Sequence, residues 1–151
     1  MRIQLFSDLH LEFGDADLVA TDADVVIAAG DVHLGAQGVE WLAASGKPTV
    51  YVAGNHEFYG GDIAEVQDAI RTACAGSAVR YLECERADID GVRFLGTTLW
   101  TDFLDGNRAL MASLHEQMND YVHIRHDGRR LQPSDLLALN LAARLWLEQE
   151  L

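Results

Sequence analysis

Three apolar runs early in the chain each end in a short polar segment carrying Asp, His or Asn. "RIQLF" leads into Ser7-Asp8-Leu9-His10, "ADVVIAA" (residues 23–29) into Gly30-Asp31-Val32-His33, and "PTVYVA" into Gly54-Asn55-His56-Glu57. The runs read as strands, the second bounded by Asp and Gly and apolar throughout, as in a strand buried on both faces. Between and after them, "VEWLAAS" and "DIAEVQDAIRTACAG" read as helices. In the second, Asp62 is the expected N-cap, Gly76 closes the end, and Ile63, Val66, Ala69, Ile70 and Ala73 share one face. Strands alternating with helices predict a largely parallel α/β sheet. In such a sheet the carboxyl ends of the strands share one edge, where ligands collect.

Downstream, "VRYLECE", "ADIDG" and "VRFLGTTLW" are short strand-like runs with a turn at Asp90-Gly91, and they predict a β-rich edge. "NRALMASLHEQMNDYVHI" carries Leu110, Leu114, Met118 and Tyr121 at helical spacing. "SDLLALNLAARLWLEQEL" follows Pro133 as a helix with Ser134 as its expected cap. A length of 151 residues suits a single domain, residues 1–151, with one real core. Trp41, Trp100 and Trp146 lie in apolar segments and are expected in that core, with an interface as the second option.

Composition removes several classes. A net charge of −13 argues against an extended nucleic-acid partner, because backbone binding needs clustered Lys and Arg. No apolar stretch has the length of a membrane span, and an acidic residue at position 8 interrupts any leader-like start, so the expected location is the cytoplasm. Cys74 and Cys84 stand outside any paired metal or redox spacing and are expected to be reduced packing residues. The first strand is not followed by Gly-x-Gly-x-x-Gly, which disfavours a dinucleotide-binding fold.

The three polar segments instead suit a metal. In extended chain, residues i and i+2 point the same way, so Asp8 and His10 can grip one ion together. Carboxylate with imidazole and no thiolate suits Mn, Fe or Zn and argues against a structural zinc site. Asp31 has two oxygens and can bridge two ions. Gly30 and Gly54 let the backbone approach closely.

"SDLH", "AGD" and "AGNHE" resemble, in order and at strand ends, the first three signature blocks of the calcineurin-like metallophosphoesterases. "GVRFLGTTLWTDF" also resembles a bacterial branch of that superfamily. The resemblance implies an α/β sandwich, two divalent metal ions, and hydrolysis of phosphate mono- or diesters. It implies that Asp8, His10 and Asp31 hold the first metal, that Asp31 bridges to a second, and that Asn55 binds the second. His56 would contact phosphate or act as general acid; Glu57 is a candidate either to orient it or simply to sit on the loop surface. Tyr59 could reach a substrate or simply pack.

The family's later blocks, a His at the end of a later strand and a Gly-His-x-His turn, have no counterpart here. The resemblance therefore implies the front part of the fold, truncated relative to the family, with part of the metal shell. His33 is a candidate further ligand or substrate contact, since Asp31-Val32-His33 repeats the Asp-x-His spacing. His115, His123 and His126 are expected on a solvated helix face. Left without its second half, such a fold would expose a sheet face or edge, and a homo-oligomer is the expectation. The alternative function is a weakly active or non-catalytic metal-binding or interaction module of the same fold. The expected partner is a phosphorylated small molecule or other phosphoester, its identity open.

Overall fold

Strands β1 (Ile3–Phe6), β2 (Val25–Ala29), β3 (Thr49–Val52) and β4 (Val79–Tyr81) form one sheet, all parallel and in chain order. This arrangement comes from a computed structural model that describes residues 1–17 and 19–151. Right-handed crossovers between parallel strands laid down in sequence all pass over the same face. Helices α1 (Gly38–Ala43) and α2 (Ile63–Cys74) accordingly pack together, burying Val39, Leu42, Ile63, Ile70 and Cys74 against Ala28, Tyr51 and Ala53. Asp62 caps α2 by accepting from the Ala64 N–H. The buried stripe of α2 is Ile63, Ile70 and Cys74, with Val66 half-buried; Ala69 and Ala73 are exposed, one step round the helix from their expected face.

The other face of the sheet is covered by a hairpin, β5 (Glu85–Ile89) and β6 (Val92–Gly96), turning at Asp90 and Gly91 with both φ positive. The hairpin does not extend the parallel sheet at its edge, as the sequence suggests. It pairs only with itself and lies across Val25, Val50 and Val52 through Ala87, Ile89 and Phe94. Gly96 makes this contact possible, because a Cβ there would stand 2.5 Å from Leu82 and 2.9 Å from Val52. The α/β fold thus acquires its second layer. The hairpin stops short of β1, whose Ile3 and Leu5 share the pleat of Val25 and Ile27 and remain 50% and 63% exposed.

The expected long helix after residue 107 is two helices, α4 (Arg108–Gln117) and α5 (Asp120–His123), separated by Met118 in extended conformation. A short α3 (Phe103–Gly106) of left-handed residues precedes them. Asn119 and Asp120 favour a fresh N-terminus over continued helix, which explains the break. The chain then forms a small hairpin, β7 (Arg125–His126) with β8 (Arg129–Arg130), and enters α6 (Pro133–Glu150). The cap of α6 is Gln132, not Ser134: Pro133 occupies the first turn, and Gln132 and Asp135 form a reciprocal capping box. Trp100 is buried against Phe58, while Trp41 and Trp146 are half-buried. Cys74 is buried in the core and Cys84 only half-buried in the loop before β5.

Candidate metal centre

Pairing between β1 and β2 does not stop where the strands do. Asp8 N–H donates to Gly30 O (3.2 Å), His10 N–H to Asp31 O (2.9 Å) and Leu11 N–H to Val32 O (3.0 Å), so the two polar segments run on side by side. Asp8, His10 and Asp31 all adopt left-handed φ, at 56°, 48° and 54°. Asp8 and His10 therefore do not converge through extended geometry, as their spacing suggests. They converge through two left-handed turns, a conformation Asp, Asn and His tolerate better than most residues and one concentrated at functional sites. The result brings one ligand atom each of Asp8, His10 and Asp31 within 4.8 Å of one another. Asp8 Oδ1 lies 4.0 Å from His10 Nε2.

Holding Asp31 in place is the work of Gly54 and Glu57. Asp31 Oδ1 accepts the His56 N–H at 2.9 Å and lies where a Gly54 Cβ would be. The Gly30 α-carbon, with φ +90°, fits against Gly54 with equally little room. Glu57, fully buried, accepts from the N–H groups of Asp31 (3.0 Å), Val32 (2.8 Å) and Gly54 (2.7 Å) and from the Tyr51 hydroxyl (2.9 Å). Burial pushes its carboxyl up, while the hydrogen bonds from Val32, Tyr51 and Gly54 pull the other way. Its two oxygens take all four of these hydrogen bonds, which favour the charged carboxylate against that burial. Its charge in turn raises the Tyr51 hydroxyl, which burial has already driven up. Glu57 thus clamps the ends of β2 and β3 together and puts none of its hydrogen bonds on the His56 imidazole.

The carboxylate that does meet His56 is Glu12. Its Oε1 lies 2.7 Å from His56 Nδ1 and 3.2 Å from His10 Nδ1, and the side chain is only 7% exposed. Burial alone would raise the Glu12 carboxyl; its own backbone N–H and the imidazoles of His56 and His10 outweigh that and hold it below the usual range. The His10 and His56 rings stand edge to face at 4.3 Å. His56 also stacks on Tyr59 at 4.5 Å, and Tyr59 lies tilted against His123 at 5.4 Å, lining a cleft of about 320 Å³ with Phe13 and Leu34.

Asn55 has a partner far along the chain. Its Nδ2 donates to Asp120 Oδ1 at 2.8 Å, and the Tyr59 hydroxyl donates to the same oxygen at 2.7 Å. With its nitrogen so engaged, the Asn55 carbonyl oxygen is the end left for a cation. Asp120 is only 3% exposed and reaches this position because residues 119–126 dock on the segment after the third motif. Gly60 N–H donates to His123 O (2.8 Å) and Arg125 N–H to Gly61 O (2.9 Å). A second cleft, about 420 Å³, opens here between Asn55, Asp120, Thr98 and Trp100.

His33 faces elsewhere. Its Nδ1 accepts from the Leu34 N–H at 2.7 Å, and its ring lines a groove with Leu11, Trp41 and Ala44. His115 packs edge-on against Tyr121, and His126 sits beside Asp127. Glu12 and Asp120 are the residues the sequence reading passes over. Glu12 extends the Asp-x-His spacing to Asp-x-His-x-Glu, and Asp120 belongs to the Asn-Asp pair that interrupts a helical pattern.

The family model for calcineurin-like phosphoesterases matches residues 1–149, and the chain belongs to that family. No curated protein matches it. The donors fit the divalent metal that membership implies: two carboxylates and an imidazole converge at Asp8, His10 and Asp31. On the Asn55 side, the amide nitrogen is held by Asp120. No helix among the described residues is long and apolar enough to cross a membrane.

Proposed function

We propose that this chain hydrolyses phosphate mono- or diesters with divalent metals, and that Asp8, His10 and Asp31 hold the first ion. The observation carrying this reading is the convergence of those three side chains on left-handed turns at adjacent strand ends, within a chain of the metallophosphoesterase family. Divalent cations, when bound, supply neutralisation of phosphoryl charge and a nucleophilic water near neutral pH. In this reading Asp31, with one oxygen on the His56 amide, would help hold both ions, and Asn55 would hold the second. As imidazolium, with Nδ1–H on Glu12, His56 would donate its Nε2–H to a phosphoryl oxygen and give that proton to the departing alkoxide, a contribution of about 10²- to 10⁴-fold in such sites. Mn, Fe and Zn all suit the mixed donor set.

The test is hydrolysis of an activated aryl phosphodiester with and without Mn²⁺, comparing the chain with Asp31→Asn. Metal-dependent turnover that disappears in the variant is the expected result. Turnover equal to that of the variant would leave the alternative, a metal-binding module without catalysis. The two readings also separate by stoichiometry, since two-metal chemistry needs about two ions per site.

A further inference from the structure

Burying a carboxylate is costly unless hydrogen bonds compensate it. The Glu12 side chain is only 7% exposed, its Oε2 reaches no partner on another described residue, and the partners of Oε1 on other residues are both imidazoles. Those rings, His10 and His56, come from the first and third strand ends and serve, on the reading above, as metal ligand and phosphate-facing acid. An ionised carboxylate only accepts, so each ring must present a protonated Nδ1. Each Nε2 is then left for the opposite side of its ring: bare in His10, where it can meet a metal, and carrying the second proton in His56 when that ring is the imidazolium acid. The tautomer of a metal-ligating or acid-base histidine is set by the hydrogen bond its other nitrogen makes.

We infer that Glu12 is a positioning residue that sets both His10 and His56 in the Nδ1–H form and locks the two rings together, aiming one Nε2 at the metal and the other at substrate. Its role in catalysis rests on the phosphoesterase reading; its effect on the rings does not. Because one oxygen serves both rings, their orientations are coupled, and a shift at His10 is transmitted to His56. Glu57, which follows His56 directly, has no part in this.

The experiment is a long-range ¹H–¹⁵N correlation of the metal-free, ¹⁵N-labelled full chain at about pH 8, above the ordinary imidazole range. The wild type is expected to show protonated Nδ1 in both His10 and His56. In Glu12→Ala at least one ring should pass to the Nε2–H form, and Glu12→Gln, whose carbonyl oxygen still accepts, should restore Nδ1–H. A bare Nδ1 on either ring in the wild type, or an alanine variant unchanged from it, would overturn the inference. If the alanine variant loses its dispersed amide spectrum, the wild-type rings decide the matter alone. Bare Nδ1 with turnover intact would remove only the Glu12 assignment. Protonated Nδ1 without turnover would remove only the phosphoesterase reading.

Discussion

Glu57 is the residue whose chemistry differs most from what its position in "GNHE" suggests. The motif puts it next to His56, yet its four donors belong to the backbone of two strand ends and to Tyr51. Glu57→Gln would turn an NH₂ group toward N–H donors in a dry site and is expected to lower stability by about 3 kcal/mol. Urea unfolding of the two proteins measures the difference, and a change below about 1 kcal/mol would count against the clamp. Residue types at the strand ends were legible because Asp, His and Asn are unusual beside apolar runs. Which carboxylate touches which imidazole was not, because Glu12 and Glu57 are equally polar on paper. Only the left-handed turns at Asp8 and His10 bring Glu12 beneath both rings.

At the scale of elements, the start of α6 is a local device with a pH signature. Asp135 accepts two hydrogen bonds from Arg129 (2.7 and 2.8 Å) and one from the Gln132 N–H (2.9 Å). The Arg129 hydrogen bonds, ahead of the opposing effect of burial, hold its carboxyl below the usual value, with Gln132 adding to them. A carboxyl depressed in the folded state adds stability above its unfolded value, and that contribution is lost as pH falls through the folded one. Asp135→Ala is expected to cost about 1–2 kcal/mol at neutral pH and less near pH 3. Denaturant titrations at both pH values check it, and a cost independent of pH would remove the ion pair from the account. The strands, α1 and α2 could be read from their apolar periodicity alone. The break at Met118 could not, because Leu110, Leu114 and Tyr121 keep helical spacing straight across it. Similarly, Pro133 outranks Ser134 in fixing where α6 begins.

For the whole molecule, the parallel order of the sheet was implied by alternation, whereas the stacking of the β5–β6 hairpin on its face was not: short antiparallel runs read the same at an edge or in a second layer. The uncovered end of that face, Ile3 and Leu5 on edge strand β1, supports self-association as a proposal. Light scattering over a range of concentrations should show mass rising above 16.6 kDa, and Leu5→Lys should bring it back; a monomer throughout would end the proposal. The tie between Asn55 and Asp120 has a different bearing, on the order in which the site matures. Glu57 closes on Val32 across 25 residues, but Asn55 meets Asp120 across 65. Loop-closure entropy makes the longer contact costlier by about 0.8 kcal/mol, and contacts of wide sequence separation slow folding. The Asp31 side of the site can therefore assemble early, while the Asn55 side waits for the docking of residues 119–126. On the proposed two-metal reading, a first cation would find its ligands ready during refolding before a second does.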